Sequence, residues 1–166
     1  MKRKWALALL IGIVAGGGYA GKVLATPASP TLQTTILAKS TFDPLRLIGN
    51  SSPPGLWRVK LKTDGLSDLY VVDNKFSPGD TTGWHSHPGP SLIFVVAGTV
   101  TNYDSGDRRC SPHTYTAGSN FVDSGGDDVH MLRNETNDPA ETIAVQFLPE
   151  RATRKIDAPE PRSCHV

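Results

Sequence analysis

Between residues 55 and 150 no stretch sustains a helical period; apolar residues recur instead at every second position, in short runs broken by Pro, Gly, Asn and Asp. In LWRVKLKTD, Trp57, Val59 and Leu61 alternate with Arg58, Lys60 and Lys62, the pattern of a strand with one face buried. DLYVVDNKF, SLIFVVAG, TVTNY, HTYT, NFVD, VHMLRNE and ETIAVQFLP follow as further β-like runs. Many short strands with regular turn signals restrict such a chain to an all-β, antiparallel sandwich or barrel. At 166 residues the length is that of one domain.

The ends read differently. MKRK is a basic start, WALALLIGIVAGGGYAG is uncharged and apolar, and Val23, Leu24 and Ala25 offer small residues where signal peptidase reads. Residues 1–25 are therefore expected to be a secretory signal peptide, which places the mature protein in the periplasm or outside the cell, with no membrane contact after cleavage. An uncleaved anchor is the alternative, disfavoured because the second half of the apolar run is Gly-rich and a poor helix. Residues 26–54 read as an N-terminal arm and loop, in which TLQTTILAKSTF is either a first strand or loosely held and LIGNSSPPGLW is a loop. Residues 55–150 form the barrel, and residues 151–166 are a polar, Pro-rich tail expected to run over the surface.

Four of the 17 basic residues lie in the leader, which leaves 13 against 16 acids in the mature chain. No cluster of Lys and Arg is visible, so nucleic acid is excluded as a partner. The two cysteines, Cys110 and Cys164, are expected to form a disulfide if the chain is exported, pinning the tail; two free thiols are the alternative.

His85 and His87 are two residues apart, so on a strand both imidazoles face the same way and can reach one metal ion. The residues around them raise the odds. Gly79 precedes His85 by six positions, Ser91 follows His87 by four, and Gly98 follows Ser91 by seven; later Gly118 precedes His130, with Asn134 four residues on. With these spacings the chain resembles the cupins, whose first motif is Gly, five residues, His-x-His, three or four residues, Glu, six residues, Gly. Their second motif ends in His, three residues, Asn. Ser91 stands where the first motif has Glu, Ser124 stands where the second has Pro, and one extra residue precedes His130.

The resemblance, which covers roughly residues 55–150, implies a jelly-roll β-barrel with one divalent transition metal inside, held by His85, His87 and His130. It implies turn and scaffold roles for Gly79, Gly98, Gly118 and Asn134, and it makes a homodimer the expected assembly by analogy alone. A serine hydroxyl is a poor ligand beside a carboxylate, so the site reads as three-histidine, with Ser91 beside the ligands or making room for substrate. Two replacements for the missing Glu are weighed: His113, and an acid from DSGGDD (Asp123, Asp127 or Asp128). Each is set below the plainer alternative of an exposed loop or a solvated hairpin tip. Imidazole ligands suit Zn, Cu, Fe and Ni, and a site without carboxylate loses some preference for Mn. Tyr103 and Tyr115 are further candidates, as side chains lining the barrel mouth that could give a proton, and Trp84 reads as a rim or core aromatic. Three readings of function remain: a metal-dependent oxidoreductase of dioxygenase type acting on a small molecule, a cupin that binds a metal or small ligand without turnover, and a metal-free structural barrel.

Overall fold

The structure is a computed structural model that describes residues 24–166. The leader expected over residues 1–25 lies, except for its last two residues, outside them. The described chain contains twelve strands and no helix. They are β1 (Gln33–Phe42), β2 (Arg46–Asn50), β3 (Arg58–Lys62), β4 (Ser67–Phe76), β5 (His85–Ser86), β6 (Ser91–Ala97), β7 (Thr99–Asp104), β8 (His113–Thr116), β9 (Asn120–Asp123), β10 (His130–Arg133), β11 (Ala140–Pro149) and β12 (Ile156–Asp157). Two antiparallel five-stranded sheets result, ordered β1-β4-β11-β6-β9 and β12-β5-β10-β7-β8. Apart from β7–β8, neighbours within these sheets are non-sequential, which makes this the jelly roll that the resemblance implies, within the all-β, antiparallel class that the alternation predicts.

The alternation is what builds the interior. Along β11, Ala140, Thr142, Ala144, Gln146 and Leu148 are buried while the residues between them are not, and along β6 Ser91, Ile93 and Val95 are buried while Leu92, Phe94 and Val96 are exposed. One apolar cluster joins Tyr70, Val72, Ile93, Ala144 and Leu148, and a second joins Phe76, Val95 and Ala140 of the first sheet to Val100 and Leu132 of the second. Each large aliphatic side chain so buried contributes roughly 1.5–3 kcal/mol. A third cluster, Trp84, Tyr103, Met131 and Cys164, covers the other face of the second sheet. Between β6 and β7 the chain passes from one sheet to the other through Gly98 alone, at φ 66°. A Cβ there would meet the Pro139 carbonyl oxygen at 2.3 Å, so only glycine makes this corner.

Residues 33–42 take the strand alternative. β1 pairs with β4 from Gln33 to Phe42, although it is exposed along its whole length. Its anchor is Asp68, buried on β4, which accepts hydrogen bonds from the Thr41 hydroxyl at 2.6 Å and the Arg151 amide at 3.0 Å and pairs with Lys39 at 2.9 Å. The Thr41 bond, then Lys39 and the Arg151 amide, hold its carboxyl down at about 2.

The run LWRVKLKTD is a strand from Arg58 to Lys62, with Trp57 just outside it, and its setting differs from the expectation. β3 pairs only with β2, in a two-stranded hairpin apart from both large sheets, and Trp57 is exposed. Alternation reports that one face is apolar; it does not report what that face packs against. β2, Arg46–Asn50, also takes residues 47–50 of the stretch whose composition reads as a loop.

Candidate metal centre

The local fold brings three histidines together from two short strands. His85 opens β5 and is the direct cross-strand partner of His130, the first residue of β10. His87 follows β5 and, two residues on, turns to the same side. The ring centroids lie 4.5 Å apart for His85 and His130, 4.8 Å for His85 and His87, and 5.6 Å for His87 and His130. One ring nitrogen from each lies within 4.8 Å of the others, and all three side chains are buried.

Backbone carbonyls decide which nitrogen that is. Nδ1 of His85 lies 2.8 Å from the Gly83 carbonyl, Nδ1 of His87 lies 2.6 Å from that of Arg154, and Nδ1 of His130 lies 3.2 Å from that of Asp128. A carbonyl only accepts, so each Nδ1 carries the proton and donates it, which leaves the lone pair on Nε2. Among the described residues, Nε2 of His85 and of His130 takes no hydrogen bond. Burial, followed by repulsion from His130 and His87, pushes the His85 imidazole down to about 2; burial also lowers that of His87, against the opposing pull of the Arg154 carbonyl. Imidazoles, each with its outer nitrogen tied to an acceptor, are the donor set that a divalent transition ion takes.

The same burial predicts an acid response. In the unfolded chain the His85 imidazole titrates at 6.5, so between that value and about 2 the unfolded state binds a proton that the native state refuses. Stability of the metal-free protein is therefore complete above pH 6.5 and falls as the pH drops, by about 1.4 kcal/mol per pH unit for this group. Urea midpoints of chelator-treated protein, compared at about pH 8 and about pH 5, measure it. Equal midpoints would mean that the folded chain accepts the proton.

Ser91 is buried on β6 and belongs to a chain of polar side chains beside the histidines. Arg154 Nη1 donates to Gln146 Oε1 at 3.2 Å, Gln146 Nε2 donates to Ser91 Oγ at 3.1 Å, and the Ser91 hydroxyl donates to Asp123 Oδ2 at 3.1 Å. Asp123 corrects an expectation: it is not at a solvated hairpin tip. It ends β9, is buried, and lies 4.0 Å through Oδ2 from His87 Nε2 and 3.9 Å through Oδ1 from His130 Nδ1. The tip begins just beyond it, where Asp127 is exposed and Asp128 half-buried.

The tail does not simply run over the surface. β12 pairs with β5, setting Ile156 against Ser86 and Asp157 against His85, and Cys164 bonds to Cys110. Arg154, Lys155 and Asp157 thereby join the wall of a cavity of ≈ 180 Å³, together with the three histidines, Ser91, Asp123, Gln146 and the apolar Leu32, Ile93, Leu132 and Ala144. Lys155 is paired with Asp157. Arg154 and the tail strand carried no local signal in the sequence. Gln146 did: it is an amide on the buried phase of a strand whose neighbours in that phase are Ala144 and Leu148.

Other candidates fall elsewhere. Tyr103 does not line the cavity. It pairs across strands with Met131, which sits between the cavity residues His130 and Leu132 and so faces away from them. Its hydroxyl donates to Glu135 at 2.8 Å, and burial, followed by that bond, raises its pKa further from neutrality. Tyr115 is packing too, stacked on Phe121 with centroids 4.4 Å apart. Trp84 is core, and His113 is exposed on β8. Asn134 is fully buried and saturated: its amide nitrogen donates to the carbonyls of Ser77 and Asp138, and its oxygen accepts from the Thr136 amide and hydroxyl.

Residues 74–146 match the family model described as Cupin domain. No curated protein sequence matches the chain. Among solved structures it is similar to a cupin superfamily protein from Desulfitobacterium hafniense DCB-2, at 9% identity over 72% of this chain and 79% of that one, with a TM-score of 0.48. It is similar to an uncharacterized conserved protein with a double-stranded beta-helix domain from Klebsiella pneumoniae subsp. pneumoniae MGH 78578, at 20% identity over 71% and 86% of the two chains, with a TM-score of 0.47. An oxalate oxidase aligns at 21% identity over 53% of this chain, with a TM-score of 0.46; only 45% of that enzyme is covered.

Proposed function

On the premise that this chain belongs to the cupin superfamily, with its cupin domain at residues 74–146, we propose that it holds one divalent transition-metal ion on His85, His87 and His130 and oxidises a small anionic molecule. The observation that carries this reading is the shared fate of the three Nδ1 protons, each given to a backbone carbonyl, so that three Nε2 atoms face one cavity wall, that of His87 with the Gln146 amide nitrogen 3.4 Å away. Bound there, the ion supplies Lewis acidity and, when redox-active, one-electron chemistry with oxygen.

The residues around it define the substrate. A cavity of ≈ 180 Å³ has room for roughly six waters, below the size of a drug-like site. Arg154 keeps donors beyond the one given to Gln146 and presents a fixed fork to a carboxylate. Leu32, Ile93, Leu132 and Ala144 exclude water from the remaining wall. A compact acid with one anionic end and a short apolar body suits these walls. The Cys110–Cys164 bond supports an oxidising compartment outside the cytoplasm, in keeping with the leader composition of residues 1–25.

Elemental analysis of untagged protein is expected to return one equivalent of a first-row transition metal. An oxygen electrode, with small chelating carboxylic acids as probes, is expected to record uptake that stops when a chelator is added. One equivalent of metal without uptake, but with thermal stabilisation by such an acid, would make the protein a metal-dependent binding module. No metal after reconstitution with several divalent ions would discard the reading.

A further inference from the structure

The carboxylate that the first motif lacks is present one strand away. Ser91 and Asp123 are direct partners in the antiparallel β6–β9 pair, both are buried, and both line the cavity. Side chains opposite one another on a sheet face have Cβ atoms only about 5 Å apart, so a carboxylate on either strand reaches nearly the same volume. Two donor atoms on one ion, each bonded at about 2.1 Å, lie no more than about 4.2 Å apart. Asp123 Oδ2 is 4.0 Å from His87 Nε2, inside that limit; its approach to His130 is 3.9 Å, from Oδ1 to Nδ1, and it stands beside, not within, the set of three histidine nitrogens that lie within 4.8 Å of one another.

We infer that Asp123 is a fourth protein ligand of the metal, supplied from β9 in place of the motif glutamate, and that Ser91 is the residue that positions it. This deepens the metal-centre reading and rests on it. A buried carboxylate requires partners, and the ones present leave it little freedom. Oδ1 accepts from the Gly125 amide at 2.7 Å and Oδ2 from the Ser91 hydroxyl. Ser91 is itself oriented, because Gln146 donates to its oxygen and Arg154 donates to Gln146. The row runs toward Asp123, with the Gln146 amide nitrogen also 3.4 Å from His87. Gly125 is part of the same device. Its φ of 72° turns its amide to the carboxylate, and a Cβ there would approach the Gly89 backbone at 2.4 Å. With one carboxylate among three neutral imidazoles, the centre carries one net positive charge instead of two. A glutamate at position 91 would crowd Asp123 with a second negative charge, which accounts for the small hydroxyl there.

The test compares the affinity of the full, disulfide-bonded chain for Co²⁺, measured by competition with a chromophoric chelator, together with the visible spectrum of the bound ion. Asp123→Ala and the isosteric Asp123→Asn are expected to weaken binding on the order of 100-fold and to change the spectrum. Ser91→Glu combined with Asp123→Ala is expected to recover at least about tenfold and to restore a four-ligand spectrum, which the loss of a mere turn cap would not do. If Asp123→Ala does not fold, Asp123→Asn and the double variant carry the comparison. Binding within about twofold of wild type in Asp123→Asn, with an unchanged spectrum, would overturn the proposal and leave Asp123 as a cap of the Gly125 turn. A wild-type chain that takes up no Co²⁺ would overturn the metal centre itself, and this proposal with it.

Discussion

Replacing His130 with alanine is expected to remove nearly all metal-dependent stabilisation of the protein. A ligand that binds only the native state stabilises it by RT ln(1 + [L]/Kd), about 2.7 kcal/mol at a hundredfold excess over Kd. Loss of outer partners around a metal weakens affinity 10- to 100-fold, so loss of a ligand nitrogen is set at about 100-fold or more. At the same metal concentration the variant then gains no more than about 0.4 kcal/mol. For a domain of this length the difference is on the order of 8 °C against 1 °C in Tm. The metal-free variant need not be less stable than the metal-free parent, because the change also removes one of three crowded imidazoles, two of which are forced to stay neutral. Thermal unfolding of parent and variant, each with and without metal, separates these contributions. His113→Ala, on an exposed strand away from the cavity, serves as the control and should respond to metal as the parent does. An undiminished metal-induced shift in His130→Ala would remove His130 from the ligand set.

Opening the disulfide is expected to be the most destabilising change outside the metal centre. Cys110 and Cys164 close a loop 54 residues apart, and the chain-entropy model assigns such a loop about 4 kcal/mol. That is a large part of the 5–15 kcal/mol typical of a whole domain. The effect is not confined to the unfolded chain. Cys164 is fully buried against Trp84, Tyr103 and Met131, and it holds the tail whose Arg154 carbonyl takes the His87 proton and whose β12 pairs with β5. Cys110→Ser with Cys164→Ser should therefore lower the urea midpoint and weaken metal binding together, the second effect because His87 loses the acceptor that orients it. Equal urea midpoints for the oxidised and reduced parent protein would sink the stability claim. Unchanged metal affinity in the serine variant would show that the tail stays in place without its bond.

Much of the site was legible because motif spacing is a local property. His85 and His87 share a face by period alone, and His130 followed by Asn134 repeats the second motif, so three of the residues around the cavity could be named before any coordinates. What could not be read was which neighbours those residues would have. Asp123 sits in a segment, DSGGDD, whose composition is that of an exposed turn, and its burial follows only from the pairing of β6 with β9. Tyr103 sits on a strand that does line up with β10, but its partner there is Met131 and not His130. One position of register separates a cavity residue from one on the opposite face.

By itself the sequence determined an all-β architecture and the shared face of His85 and His87, because each depends on residues a few positions apart; His130 entered through the resemblance to the cupin motifs, and the cysteine pair through the expected export. Only the tertiary structure decided that a carboxylate 32 residues from Ser91 would face it, and that a tail 67 residues from His87 would supply its hydrogen-bond acceptor. It also set β3 in an outlying hairpin instead of the barrel wall. The reason is that alternation specifies which side of a strand is apolar, whereas the choice of partner strand and register is settled by competition among all the strands for the same buried faces.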